Sequence, residues 1–214
     1  MKKYVLTNNS KTVFGKKLFQ IFALADFGDV KAGSLGGYVE KEENLSQCDN
    51  AWVYNNAMVY GDAEVYGNAQ VHDNATVYGN AMVCGNASVY GYANISDNAM
   101  VYGNAMVYGN ATVYGNAMVY GNAKICGNTV VFGSADVAKN ARITSDADLL
   151  QITGLGSVHR TTTVYRTKNG IEIVCGCFRG NLEEFRKQVV ETREGKVRDE
   201  YLKFAELIEI YFRL

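Results

Sequence analysis

Neither a long hydrophobic run nor a large excess of one charge is found in this sequence of 214 residues. Lysine and arginine number 21 and aspartate and glutamate 22, so no strong electrostatic field favours nucleic acid or an anionic membrane surface as a partner. No apolar stretch reaches the length that crosses a bilayer, and no signal-peptide core follows Met1, Lys2 and Lys3. We therefore expect a cytoplasmic protein that binds neither nucleic acid nor a membrane.

Metal ligands and cofactor motifs are also scarce. The five cysteines are an odd number without the spacing of a zinc site, which is typical of reduced thiols in a cytoplasmic protein. The chain has two histidines, His72 and His159, and it lacks both a phosphate-binding glycine loop and a cluster of metal ligands. The sequence predicts no metal and no cofactor.

A repeat of six residues occupies the middle of the chain. From Ala51 to Asp146 the sequence divides into 16 hexapeptides of the pattern Ala-x-Val-Tyr-Gly-Asn, without an insertion or deletion. The first position is alanine in 15 of them, and the third is valine or isoleucine in all 16. Less regular copies extend the pattern to about Leu45 and Ile152. Because a period of six matches neither 3.6 nor seven, helices and coiled coils are excluded here.

Each hexapeptide has the chemistry of a short strand followed by a turn. Alternation places alanine and valine on one side of the strand, and Gly-Asn supplies the residue types that best tolerate positive φ. A meander of hairpins would leave the register of such short strands poorly specified and half of the apolar side unburied. We therefore predict an all-β solenoid, a left-handed parallel β-helix of about six 18-residue coils over residues 45–152, with valine and alanine filling its core.

These hexapeptides resemble the motif of left-handed β-helices, which is best known from trimeric acyltransferases. Six other segments resemble the flanking regions of uncharacterised repeat proteins from bacteria and their prophages: 29–33 (DVKAG), 36–39 (GGYV), 42–46 (EENLS), 161–167 (TTTVYRT), 175–178 (CGCF) and 182–185 (LEEF). The resemblance implies the β-helical fold. It implies no agreed activity. A phage-encoded accessory protein that inhibits a host defence factor is one specific function that the resemblance to prophage proteins suggests.

The two ends of the chain depart from the repeat. Residues 1–44 are predicted to form short strands and a segment that caps the first coil, because an uncovered solenoid end is an open β-edge. Residues 153–214 are predicted to form a β-hairpin and two helices, the first of them capped by Asn181 with Glu184. The second helix has an apolar row that must pack on something and that forms a candidate tail interface: Tyr201, Phe204, Ile208 and Tyr211.

Acyl transfer from acetyl-CoA is the alternative function that the resemblance raises. It implies a histidine base at a trimer interface and, in many such enzymes, a loop extruded from the helix. His72 takes the outward tyrosine position of its hexapeptide, and His159 precedes the tail hairpin. The unbroken register from 51 to 146 leaves no loop that could shape a substrate pocket. We therefore expect a binding protein rather than an enzyme.

Three outward faces emerge when the repeats are aligned every 18 residues. The first face carries Trp52, Gln70, Ser88, Met106 and Lys124, with Tyr54, His72, Tyr90, Tyr108 and Cys126. The second face carries Met58, Thr76, Asn94, Thr112 and Val130, with Tyr60, Tyr78, Ser96, Tyr114 and Phe132. The third face begins at Glu64 and is the most apolar, and its candidate interface residues are Tyr66, Met82, Cys84, Met100, Tyr102, Met118 and Tyr120.

The third face is expected to be covered, because large apolar patches are uncommon on monomers. One candidate cover is the chain's own tail, if the last helix folds back along the rod. A second is self-association as a dimer or trimer, and a third is a different protein. A glycan on the more polar second face is a further alternative. The sequence thus predicts a non-enzymatic binding or scaffolding protein.

Overall fold

The computed structural model describes residues 2–138, 140–156 and 160–214. Strands β1 (Tyr4–Val13) and β2 (Lys16–Ala23) form an antiparallel hairpin, which β3 (Leu35–Val39) extends. After a 3-10 turn at Glu42–Asn44, short strands each cover the second and third positions of one hexapeptide. They are β4 (Trp52–Val53), β5 (Met58–Val59), β6 (Glu64–Val65), β7 (Gln70–Val71), β8 (Thr76–Val77), β9 (Met82–Val83), β10 (Ser88–Val89), β11 (Asn94–Ile95), β12 (Met100–Val101), β13 (Met106–Val107), β14 (Thr112–Val113), β15 (Met118–Val119), β16 (Lys124–Ile125), β17 (Val130–Val131), β18 (Asp136–Val137) and β19 (Arg142–Ile143).

The remainder of the chain, which we call the tail module, begins after a second 3-10 turn at Asp146–Asp148. It is a four-stranded antiparallel sheet followed by two helices. The strands are β20 (Leu149–Leu155), β21 (Arg160–Thr167), β22 (Gly170–Cys175) and β23 (Phe178–Gly180), and the helices are α1 (Leu182–Thr192) and α2 (Gly195–Phe212).

The short strands stack into three parallel sheets, one for each face. Within each stack, an inner strand pairs with the strands 18 residues before and after it, so that Met100 lies between Met82 and Met118. The backbone nitrogen of Met100 donates to the carbonyl oxygen of Ala117 at 2.9 Å, and the same bond recurs from coil to coil. The predicted β-solenoid of about six turns is therefore confirmed.

The core of the solenoid is made of alanine and valine from the first and third positions. Ala99, Val101 and Val107, for example, have no exposed surface. Each fully buried valine contributes on the order of 2 kcal/mol. At the corners, asparagine amides form chains along the axis: Asn68 donates to Asn86 at 2.9 Å and Asn86 donates to Asn104 at 3.0 Å. Side chains thus add to the ladder that the backbone already forms.

The N-terminal segment closes the first coil. Strand β3 pairs with β5, so that the hairpin prolongs the sheet of the second face. The Trp52 ring is buried edge-on against the rings of Tyr4 and Phe27, at 5.9 and 5.3 Å between centroids. The Lys3 ammonium donates to the carbonyl oxygen of Ala51 at 2.9 Å. It takes the place of the backbone donor that a preceding coil would supply. Its burial lowers the pKa of Lys3 from the usual 10.5 to about 8.

Stability is expected to rise with pH between about 8 and 9 because of this lysine. The folded chain begins to release the Lys3 proton near pH 8, whereas the unfolded chain holds it to 10.5. The unfolded state therefore binds more protons in this window, which raises the free energy of unfolding by at most about 1.4 kcal/mol per pH unit. Urea unfolding at pH 8 and pH 9 measures the slope, and Lys3→Met should flatten it. An equal slope in both proteins would refute the assignment.

The tail sheet closes the other end by replacing the backbone of a missing coil with side chains. The Gln151 amide accepts from the backbone nitrogen of Phe132 at 3.0 Å and donates to the carbonyl oxygen of Val130 at 2.8 Å. The Tyr165 hydroxyl accepts from the backbone nitrogen of Ala138 at 3.2 Å. Polar backbone groups at the open end are satisfied in this way, since an unpaired buried group is costly.

The opposite side of the tail sheet carries the two helices and a second hydrophobic core. Val164 and Ile173 of the sheet are buried against Phe185 of α1 and against Phe204 and Ile208 of α2. The amphipathic pattern of both helices is explained by this packing, which occurs entirely within the tail module.

The tail module agrees with its prediction in part. The hairpin β21–β22 and the two helices are present, and the Asn181 side chain accepts from the backbone nitrogen of Glu184 at 2.9 Å in the predicted capping box. Strands β20 and β23 were not foreseen. Because β20 begins at Leu149, the tail sheet starts within the span that the repeat pattern had placed in the solenoid.

Candidate functional site

The third face is a straight row of side chains along the axis of the rod. Strands β6, β9, β12, β15 and β18 place Glu64, Met82, Met100, Met118 and Asp136 one above the other in 18-residue register. The three methionines are partly exposed, while the valine after each of them is buried. A flexible apolar strip therefore lies on the surface between two acidic ends.

A second row runs beside the methionines. Tyr102 and Tyr120 stack with their ring centroids 4.9 Å apart and their planes parallel. A hydrogen bond with the Cys84 thiol raises the pKa of Tyr66 to about 12, and Tyr66 is 36% exposed. The phenols are thus uncharged at neutral pH, and the face between its two acidic ends is apolar and aromatic. The structure brings all seven candidate residues of the third face together in these two rows; their use as an interface stays a prediction.

The candidate tail interface has a different position. Tyr201, Phe204 and Ile208 are buried in the core of the tail module, and Tyr211 is 38% exposed with its hydroxyl donating to the carbonyl oxygen of Asp146 at 2.7 Å. The expectation that α2 folds back along the rod to cover the third face is wrong. The apolar side of α2 packs on the tail sheet. One side of this sheet faces the last coil, and the helices bury the other side.

Arg179 joins the tail module to the third face. One guanidinium nitrogen lies 2.6 Å from the Asp136 carboxylate and 3.1 Å from the Tyr120 hydroxyl. The other lies 2.9 Å from the Tyr165 hydroxyl and 3.5 Å from the Glu172 carboxylate. Hydrogen bonding to Asp136 and the nearby negative groups raise the pKa of Arg179 despite its burial. This fork links the tail sheet to the last strand of the third face.

A groove of about 660 Å³ lies at this junction, directly beyond the end of the methionine row. Met118 and Asp136 of the third face form one wall, and Thr163 and Val174 of the tail sheet form the other, with Asn116 at the solenoid corner. Sequence reasoning missed this groove, since its walls come from two separate segments, the third face and the tail sheet, whose contact no local pattern indicates.

His72 is the histidine among the described residues, and the acyltransferase alternative requires a histidine as its base. Its ring stacks on Tyr54 at 4.2 Å with parallel planes, and its Nε2 lies 3.2 Å from the Gln70 side-chain oxygen. Burial lowers the pKa of His72 although Asp73 opposes the shift, so the imidazole is neutral at pH 7. A surface cavity of about 300 Å³ adjoins it. His159 lies outside the described residues.

Two features are absent from the described ranges of the chain. No helix there is long and apolar enough to cross a membrane. Within the same ranges, no three His, Cys, Asp or Glu side chains converge in a way that could hold a metal ion.

The stacked coils, the repeating core and the capped ends define this chain as a β-solenoid repeat protein. Five segments match the family model described as YdcK Beta solenoid repeat, and the last four of them overlap: 69–85, 93–109, 99–115, 105–121 and 111–124. A stretch of 38 residues is 47% identical to the protein named "Uncharacterized acetyltransferase YdcK" of Escherichia coli (strain K12). That stretch is 18% of this chain and 12% of the length of the E. coli protein, so the similarity covers a small part of both proteins.

Proposed function

We propose that this protein is a non-enzymatic binding or scaffolding protein that associates through its third face, in the first instance with a second copy of itself. The observation that carries the proposal is the row of Met82, Met100 and Met118, which lies on a flat sheet and which the tail module leaves uncovered. Methionine and tyrosine are enriched in the cores of protein interfaces, where their adaptable or rigid apolar surface replaces water.

The register of the row suits a two-fold interface. Met82 and Met118 are each one coil from Met100, so an axis through Met100 would pair Met82 of one copy with Met118 of the other. An isologous contact of this kind closes on itself and forms a dimer rather than a fibre. The capped ends of the rod favour the same outcome, because the N-terminal hairpin and the tail sheet cover the first and last coils against end-to-end stacking.

Met100→Glu is expected to weaken self-association at least tenfold, because it places an unpaired carboxylate at the centre of an apolar contact. Light scattering after gel filtration, over a range of concentrations, gives the solution mass. Met106→Glu is the matched control, since Met106 occupies the same position of its coil on the first face. A dimer that survives Met100→Glu, or that Met106→Glu dissociates equally, would place the interface elsewhere.

A different protein is the second candidate for the third face. A more specific form of this hypothesis is a phage-encoded inhibitor of a host defence factor. It is supported by the resemblance of the flanking segments alone. An intact protein that stays monomeric at high concentration would shift the proposal from self-association to such a partner. Met100→Glu and Met106→Glu then serve as the same pair of variants against that partner.

Acyl transfer from acetyl-CoA is the alternative function. It is supported by the name of the E. coli relative and by the neutral, partly buried imidazole of His72 beside a cavity. Isothermal calorimetry with acetyl-CoA separates the two proposals. Saturable binding that is lost in His72→Gln would favour the enzyme, whereas the binding-protein proposal expects no heat beyond dilution.

A further inference from the structure

Phe14 stands at the tip of the β1–β2 hairpin in a conformation that its side chain does not favour. Its φ is +48°, in the left-handed region that bulky residues rarely enter, and Gly15 follows at +78°. The ring is 90% exposed. Asparagine followed by glycine favours the backbone conformation of such a two-residue turn. Asparagine at this position would also not expose an apolar ring to water. The fold of the hairpin therefore does not account for phenylalanine at this position.

Asn94 is a second residue that the fold does not account for. It lies in the outward row of the second face, where it pairs with Thr76 on one side and Thr112 on the other. Its side-chain oxygen is buried and has no hydrogen-bond partner within the part of the chain that the structure describes. A threonine would continue the row without an unsatisfied amide, and buried polar atoms without partners are rare in folded proteins.

Both residues line the same cleft. It has a volume of about 560 Å³ and lies between the hairpin tip and the second face, with Met58, Tyr60 and Tyr78 on its floor. This volume falls within the range of small-molecule sites. Two departures from what stability favours thus converge on one cavity, and such departures are expected where a protein binds something.

The floor of the cleft contains a short aromatic stack. Tyr60 and Tyr78 stack with centroids 5.1 Å apart and planes 9° from parallel. Ser96 takes the next position of this row, so the stack of rings stops at Tyr78. The wall nearest the hairpin is electrically balanced, because the Lys16 ammonium lies 2.9 Å from the Glu40 carboxylate. An uncharged ligand with a flat apolar side therefore fits these surroundings.

We propose that this cleft binds a neutral saccharide. The apolar side of a pyranose ring packs on Tyr78 where the aromatic stack ends, and the Phe14 ring closes over it from the hairpin tip. Sugar hydroxyls both donate and accept, as do the Asn94 amide and the Thr76 hydroxyl. The site is separate from the third face and from any association there.

An array of neutral oligosaccharides built from hexose and N-acetylhexosamine units, followed by calorimetry with the best-bound member, tests the proposal. Phe14→Asn and Asn94→Thr should each weaken binding about tenfold or more, since each removes one specific contact. Both variants should unfold at the same temperature as the natural protein or at a higher one, because each relieves a local cost of folding. Met106→Thr, a substitution of the same kind on the first face, should change neither property.

Three results would overturn the proposal. The first is that no neutral oligosaccharide on the array binds the intact protein. The second is binding that Phe14→Asn and Asn94→Thr leave unchanged, which would move the sugar to another surface. The third is a lower solution mass of Phe14→Asn, which would show that the cleft receives the hairpin of a second copy instead.

Discussion

Replacing Arg179 with methionine is expected to lower the free energy of unfolding by about 3 kcal/mol. The guanidinium is shared by Asp136 of the rod and Glu172 of the tail sheet, and it is 21% exposed. Its removal leaves the carboxylate of Asp136, which is 23% exposed, without its cation and removes the donors to Tyr120 and Tyr165. Charges that are largely out of water are strongly destabilised when their partner is lost, whereas exposed pairs are not.

Chemical denaturation followed by circular dichroism measures this effect, with Arg179→Lys as the matched variant. Lysine keeps the charge near Asp136 but cannot form the planar fork, so we expect a smaller loss of about 1 kcal/mol. Because Arg179 links the two parts, Arg179→Met should also separate the unfolding of the tail module from that of the rod. A single unchanged transition in Arg179→Met would show that the fork does not hold the tail in place.

The second large effect is expected at the turns of the solenoid. Gly103 has φ +72°, and a Cβ built there would lie 3.0 Å from the backbone nitrogen and 3.2 Å from the carbonyl oxygen of Gly121 in the next coil. Gly103→Ala combines a left-handed backbone with this close contact and should cost about 2 kcal/mol or more. The lost stability can be read from the midpoint of urea unfolding.

Aspartate at the same position provides a stringent control. Asp97 occupies the equivalent turn with φ +57°, and its carboxylate accepts from the backbone nitrogen of Gly115 at 3.0 Å. Asp73 makes the same bond to Gly91 at 3.1 Å. Gly103→Asp should therefore be less destabilising than Gly103→Ala, although aspartate is the larger side chain. The reverse order would mean that crowding, and not the hydrogen bond, governs these turns.

The solenoid could be predicted from the sequence because a six-residue period is typical of this fold. A six-residue repeat without interruption fixes which residues point inward, and the burial of Val101 and Ala99 follows from that alone. The grouping of Met82, Met100 and Met118 was also readable, since an 18-residue coil places every third hexapeptide on one face. Where the positions of buried and exposed side chains follow a period, the local sequence is enough to predict them.

The contacts between distant parts were not readable. The apolar row of α2 indicates that the helix must be covered, but not by what, and the tail sheet rather than the third face turned out to cover it. The groove between Met118 and Val174 and the cleft below Phe14 depend on how each end of the chain is set against the rod. That placement rests on single long-range contacts such as those of Arg179, which leave no pattern in the sequence.

Oxidation of individual methionines tests the central claim most directly, because it reports the exposure of the third face without a substitution. Dilute peroxide converts exposed methionines to sulfoxides, which mass spectrometry of peptides quantifies residue by residue. With rising protein concentration we predict slower oxidation of Met82, Met100 and Met118 and an unchanged rate for Met106. Oxidation rates of Met82, Met100 and Met118 that stay constant as the concentration rises would contradict association through the third face.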